Sequence, residues 1–262
     1  MKNIFAIAER DLKAYFTSPI AYVVLTIFLF LMGMFFYLAV TSLSQSASMR
    51  ALQSAQTGQP PDPIDMPGEV MRNLLQVMVS IMLFMLPLIT MALFSEEKKR
   101  GTIELLLTAP VTDIQVVLGK FLAASLFYVI LLASTLVELG VLYMYSHPAL
   151  GPILTGYIGV LLYGLSFVAL GMFISTLTEN QIIAAILTFA MTLLLWLLDG
   201  ISKSAGVSGT LGAILSYLSV FQHLEDFMSG VIGTSHIIFY LSLTLVGLFL
   251  TYRSLDSLRW RG

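Results

Sequence analysis

Six stretches of this chain are each long enough and apolar enough to cross a bilayer as a helix, and nothing else in the sequence limits the fold as strongly. A hydrocarbon core about 30 Å thick takes roughly 20 apolar helical residues. Runs near that length fall at residues 20–40, 74–94, 116–145, 153–177, 182–198 and 231–252, the last beginning at either Val231 or Ile237. The third contains Lys120 and Glu138, and the fifth and sixth are the shortest. Residues of the AVILMFWYC group make up 58% of the chain and charged residues only 11%, too apolar a balance for one water-facing surface. The fold expected is an all-α polytopic membrane protein, a single transmembrane domain over residues 1–262. A net charge of −2 gives no electrostatic reason to expect nucleic-acid binding, which rests on neutralising phosphates. The absence of cysteine excludes a disulfide framework, a thiolate nucleophile and cysteine-ligated zinc.

An even number of spans puts both termini on one side, and Lys and Arg are retained in the cytoplasm. Lys2, Arg10, Lys13, Lys98, Lys99, Arg100, Lys120, Arg253, Arg259 and Arg261 fall on the terminal side, against Arg50, Arg72 and Lys203 on the other. Both ends are therefore expected in the cytoplasm, with the chain in a bacterial inner membrane. The first span is longer than a signal-peptide apolar region of about 7 to 15 residues and is expected to be retained.

Ahead of it, Ile4, Phe5, Ile7, Ala8, Leu12, Tyr15 and Phe16 fall largely on one side of a helix, with Lys2, Arg10 and Lys13 on the other. Residues 1–18 are expected to lie along the inner surface, and Ser18-Pro19 allows the turn into the bilayer. Residues 41–73 are rich in Ser, Gln and Pro and read as a mobile external loop. Pro87 removes one backbone donor inside the second span and is expected to bend it. Glu138 should face protein or water rather than lipid, and contact with a substrate or a hydrogen bond to a neighbouring helix both fit it. Before the last span, Leu211, Ile214, Leu215, Leu218 and Phe221 recur at helical spacing, followed by Phe227, Met228 and Val231. Short helices dipping into the outer leaflet would give these residues an apolar environment without crossing.

The densest signal lies at residues 95–115, between the second and third spans. Ser95 is placed to cap a helical turn, with Glu96 and Glu97 at its positive end, Lys98 to Arg100 at its negative end and Gly101 as its stop. Thr102 can cap a second short helix, with Glu104 in its first turn, Leu105, Leu106 and Leu107 offering apolar surface, and Pro110 ending it. Thr112 and Gln115 then form a T-x-x-Q capping box at the start of the third span. A loop that merely fixed topology would account for the basic residues, but not for the exposed leucines and repeated caps. The segment is built to dock into something.

The pattern from Glu96 through Gly101-Thr-Ile-Glu-Leu-Leu-Leu to Pro110-Val-Thr, followed by Gly119-Lys120, resembles the signature of ABC-2 type transporter permeases. Glu9-Arg-Asp-Leu-Lys with Phe16-x-Ser18-Pro19-Ile-Ala-Tyr22, Ser175-Thr-Leu-Thr-Glu-Asn-Gln181, and Gln222-His223-x-x-Asp226-Phe227-x-x-Gly230 are similar to the permease subunits associated with gliding motility. The resemblance implies that residues 1–18 are an interfacial connecting helix, with Arg10 and Lys13 on its polar side. It also implies that residues 95–115 contain a cytoplasmic coupling helix held by an ATP-binding subunit. The docking residues would be Glu97, Arg100, Gly101, Thr102, Glu104, Leu105, Leu106 and Pro110. The apolar stretch before span six would form re-entrant external helices. Glu138, Phe221, His223 and Phe227 are candidates for the pathway or its outer gate. The implied partners are two ATP-binding subunits, a second permease copy or related membrane subunit, and an auxiliary subunit with a large external domain.

Catalytic chemistry is missing from the chain itself. It has no G-x-x-x-x-G-K-[ST] phosphate loop, no H-E-x-x-H helix and no G-x-S-x-G elbow. No bound cofactor or metal is expected; ATP and magnesium would be used by the partner ATPase. His147 reads as a turn residue, and His223, near Glu225 and Asp226, as a polar residue of the outer rim. The function expected is a permease subunit of an ATP-driven exporter, with a non-transporting scaffold that docks an ATPase or motor to an envelope complex as the alternative. Replacing Glu104 and Leu106 together should reduce capture of the ATP-binding subunit in a pull-down while leaving membrane insertion intact. A tag at Lys99 should be reachable only from the cytoplasm; labelling from outside the cell would overturn the topology.

Overall fold

The computed structural model describes residues 2–58, 65–103, 111–204, 214 and 216–259. Among them there is no strand, and six helical units are long and apolar enough to cross a membrane. The chain opens with α1 (Lys2–Thr17) and α2 (Pro19–Thr57). The second crossing is α3 (Met66–Thr90) followed by α4 (Ala92–Lys99), and the third is α5 (Asp113–Ser134) followed by α6 (Leu136–Tyr145). Then come α7 (Leu150–Leu177), α8 (Gln181–Ser204), the short α9 (Val220–Met228) and α10 (Thr234–Arg259).

The crossings divide into an inner and an outer set. In α3 with α4, α5 with α6, and α7, between 61% and 72% of the most apolar window is buried, against 17% to 22% in α2, α8 and α10. Helix α7 is the axis of the bundle: it packs against α3, α4, α5, α8, α9 and α10. Its Val160, Phe167, Val168 and Met172 are fully enclosed, and the Tyr128 hydroxyl of α5 donates to the Val160 carbonyl. A helix apolar on every side belongs in such a position, because the outer helices can leave one face to lipid while a central helix has no face to spare.

At Ser18 the backbone is extended (φ −86°, ψ 138°), and the hydroxyl accepts from the Ile20 amide at the start of α2. Thus α1 is a separate element rather than an extension of the first span. It buries Ile7 and Ala8, stacks Tyr15 on Phe127 at 5.0 Å, and donates the Tyr15 hydroxyl to the Ile89 carbonyl at 2.6 Å. Close approach to α5 depends on Gly119: a Cβ there would stand 2.8 Å from the Ile7 side chain and 3.1 Å from the Ile4 carbonyl.

Four sequence expectations change. Residues 41–57 are not loop but the continuation of α2, and α3 begins at Met66. Propagating an existing helix costs far less than nucleating one, and nothing from Leu43 to Thr57 is Gly or Pro. The serines there turn their hydroxyls back onto the helix's own carbonyls, Ser46 onto Ser42 and Ser48 onto Ser44, until Gly58 ends it at φ +69°. Ser95 caps nothing, because α4 starts three residues earlier and its hydroxyl donates to the Met91 carbonyl. The third crossing is interrupted at Thr135, whose hydroxyl bonds the Leu132 carbonyl and Tyr157, so Glu138 lies in the first turn of α6. The last span starts at Thr234, after Gly230 turns the chain at φ +89°.

Gly119→Val should lower thermal stability in detergent by about 1–3 kcal/mol, because the added methyl groups force α1 off α5. Gly140→Val, where a Cβ would meet nothing within 4 Å, should stay within about 0.5 kcal/mol of the natural chain.

Candidate functional site: a charged junction between three helices

Helix α1 and the last turns of α10 lie at one end of the bundle, Ser254 bonding Thr176 beside Lys98, and there α1, α4 and α5 meet through four charged side chains. Lys120, about two helical turns into α5, is only 4% exposed. Its Nζ lies 2.8 Å from Glu97 Oε1 of α4 and 3.1 Å from Asp11 Oδ2 of α1, and 5.1 Å from the centre of the Phe94 ring. Arg10 closes the group, 2.7 Å from Asp11 Oδ1 and 3.4 Å from Glu97 Oε1. Two cations face two carboxylates, so the junction is neutral as a unit. A buried ammonium is costly alone, and removing one partner of such a pair leaves an uncompensated charge. Glu97 Oε2 is buried with no hydrogen-bond partner among the described residues, which leaves this carboxylate with acceptor capacity.

The neighbouring chain geometry holds Glu97 in place. Arg100 caps α4, Gly101 takes φ +68°, and the amides of Gly101 and Thr102 reach back to the Lys98 and Glu97 carbonyls at 3.1 and 3.0 Å. That pair of bonds is a Schellman stop, open to glycine because a left-handed residue with a Cβ is strained. Arg100 pairs along the helix with Glu96. At the start of α5, Thr112 and Gln115 form the reciprocal capping box expected, and Gln115 also accepts from Asn3 of α1 at 3.2 Å.

The end of α7 grips the same region. Ser175 Oγ accepts from the Phe94 and Ser95 amides at 3.0 and 3.1 Å and donates to the Met91 carbonyl at 2.9 Å. A side chain has entered the hydrogen-bond ladder where α3 gives way to α4, four residues beyond Pro87. The helix runs through Pro87 itself, and the interruption falls where Ser175 supplies replacement partners. Lys98 Nζ bonds the Thr176 carbonyl at 2.5 Å, and Thr176 bonds Ser254 of α10 at 2.8 Å. Beside this junction a cleft of about 620 Å³ opens between α1, α4 and the start of α2, lined by Arg10, Glu97 and Lys120 together with Ile20, Leu88 and Leu93.

Of the docking residues inferred from sequence, Glu97 joins the junction, Arg100, Gly101 and Thr102 build the stop beside it, and Glu104, Leu105, Leu106 and Pro110 lie outside the described residues. Ile103 and Val111, flanking that stretch, pack against the core. Arg10 is in the junction, whereas Lys13 pairs with Glu9 at 2.6 Å on the exposed side of α1. The pathway candidates lie elsewhere. Phe221 meets Trp196 of α8, and Phe227 is fully buried, its carbonyl accepting from Thr155 of α7 at 2.7 Å. Glu138 is half-buried in α6. His223 is not a rim residue: it is 6% exposed and hydrogen-bonded on both ring nitrogens. Sequence reasoning missed the roles of Asp11, Lys120 and Ser175. Lys120 alone carried a readable signal, a cation one turn inside an apolar run.

Comparison with known proteins fits this arrangement. The family model described as ABC-2 family transporter protein matches residues 5–257, and the chain belongs to that family. It is therefore a multi-pass membrane protein of the permease type. The chain is similar to the "Probable multidrug ABC transporter permease YbhR" of Escherichia coli strain K12 and to its counterpart in Escherichia coli O157:H7. Each is 28% identical over 139 residues, 53% of this chain and 37% of the relative. The matched stretch thus spans little more than a third of those relatives' length.

Lys120→Met should destabilise the protein by about 3–5 kcal/mol if the junction behaves as fully buried, and by less to the extent that water reaches Asp11 and Glu97. In a double-mutant cycle, Lys120→Met with Glu97→Gln should show a coupling of about 1–3 kcal/mol by thermal unfolding in detergent. Additive losses would mean that the two side chains do not act on each other.

Proposed function

We propose that this chain is the membrane-embedded subunit of an ATP-driven ABC-2 exporter in a bacterial inner membrane, with both termini in the cytoplasm. The observation that carries the reading is the charged junction, which fastens the helix leading into the docking segment to the interfacial helix and to the base of the third span. An ATP-binding subunit seated on residues 95–115 would displace α4 when it closes on ATP. Glu97 would pass that displacement to Lys120 and Asp11, and Ser175 would pass it to α7, the axis of the bundle. A docked subunit can bias a membrane domain between two states only by contacting them differently. The junction supplies such a contact, since Glu97 holds both α1 and α5 and breaking it changes the charge balance of both.

Finer assignments follow from the sequence resemblance. Two copies of this chain, or this chain with a related one, would enclose the path and hold two ATP-binding subunits, and an auxiliary subunit with a large external domain would complete a gliding-motility-type assembly. Similarity to a multidrug permease points to amphiphilic cargo, which suits a path with few charges.

With the ATP-binding subunit reconstituted in liposomes, Glu97→Gln should leave that subunit bound in a pull-down. It should also reduce the permease's effect on ATP turnover roughly tenfold, a coupling loss of about 1.4 kcal/mol. Loss of binding would make Glu97 part of the docking surface instead. Unchanged turnover with unchanged binding would remove the junction from the coupling path.

A further inference from the structure

At the opposite end of the bundle from the termini, three ionisable side chains form a chain of contacts that the transport reading does not use. His223 of α9 places Nε2 2.9 Å from the Tyr217 carbonyl and Nδ1 2.6 Å from Nδ1 of His236 on α10. His236 in turn places Nε2 2.7 Å from Asp226 Oδ2 of α9. The His223 ring stacks on Phe239 at 4.1 Å, and its edge meets Tyr217 and Tyr240.

These contacts require three protons on the four ring nitrogens. A carbonyl only accepts, so His223 carries a hydrogen on Nε2, and a carboxylate only accepts, so His236 carries one on Nε2. The third lies between the two Nδ1 atoms, where either ring can hold it. The arrangement is two histidines with one proton between them and a carboxylate in series, joining α9 to the first turn of α10. A second proton, on His223 Nδ1, would set two N–H groups and two positive charges against each other at 2.6 Å.

We infer that His223, His236 and Asp226 are a proton-operated latch, closed at neutral pH and released when His223 takes up a proton from the compartment on that side of the membrane. Among the described residues, the titratable groups facing His223 are Tyr217 before α9, Asp226 on α9, and His236 and Tyr240 on α10. Helix α7 meets α9 at Gly159, beside Phe227 and Leu224, and α8 meets it at Trp196, beside Phe221. Burial holds the His223 pKa below the ordinary 6.5; the bond to the Tyr217 carbonyl and Asp226 oppose this, and His236 adds to it. With the folded value depressed, the latched state is favoured above about 6.5 and loses stability as pH falls below that. Release leaves α9 held to α7 by Thr155 and to α10 by the Tyr240 hydroxyl on the Val220 carbonyl, so the stretch of α9 from Gln222 to Asp226 would move from the start of α10 about those two points without unfolding the bundle.

The chain has no cysteine of its own, so spin labels can be placed on the exposed positions Gln222→Cys and Ile238→Cys in the full chain in nanodiscs. A single narrow distance at about pH 8 should give way to a longer, broader distribution at about pH 5. His223→Gln should keep one distribution at both pH values. Identical distances for the natural residues at both pH values, or a pH response that survives in His223→Gln, would overturn the latch. Should that variant not fold, ¹⁵N-histidine spectra of the natural chain decide, since it has only three histidines. At neutral pH both Nε2 atoms of the pair should be protonated, with a single proton between the two Nδ1 atoms. Two neutral rings would overturn the latch.

Discussion

An ammonium group with almost no access to water has to be matched by negative charge, and Lys120 meets that condition only through residues that belong to other helices. Asp11 comes from α1 and Glu97 from α4, so the pairing that makes Lys120 tolerable also fixes where two further elements sit. The steric side of the same junction is Gly119, whose missing side chain admits Ile7. Adjacent residues on α5 thus do opposite jobs, one yielding space to α1 and the other binding it. The short helix leading to residues 104–110 is therefore not free to move alone.

The same end of the bundle shows how a polar side chain can serve as a mechanical connection inside an apolar protein. Ser175 takes over two amides at the α3 to α4 junction and gives its own hydrogen to Met91. In hydrocarbon, freed backbone groups must find partners within the protein. A helix can be interrupted there only because α7 carries the replacement hydroxyl, and this ties the interruption to the most enclosed helix of the fold. Under the proposed function these connections gain a purpose, since an ATP-binding subunit seated on residues 95–115 would act at this end.

Much of the architecture was legible because the bilayer imposes a length. Six apolar runs, the Ser18-Pro19 break, the Gly101 stop and the capping box at Thr112 and Gln115 are local features, decided by residues within a few positions of one another. The extension of α2 was misread for a related reason. Polarity at residues 41–57 signals exposure to water, but an exposed helix continuing from a span needs no apolar face, only an absence of breakers. His223 shows the reverse limit. Its neighbours Glu225 and Asp226 suggested a wet rim, while the residues that enclose it, Phe239 and His236, are more than a dozen positions away.

By itself, then, the sequence determined the class of protein, the number of crossings, and several local breaks and caps, at Ser18-Pro19, Gly101 and Thr112. These follow from hydropathy and backbone capping, which act over one span or one turn. Only the tertiary structure decided that Lys120 answers to Asp11 and Glu97, that Ser175 enters another helix's ladder, and that two histidines 13 residues apart meet through their ring nitrogens. Each of those depends on which helices are neighbours. Nearly every face of this chain is apolar, so its hydrophobic pattern leaves helix order around the bundle undefined, and a few polar atoms placed at close range define it.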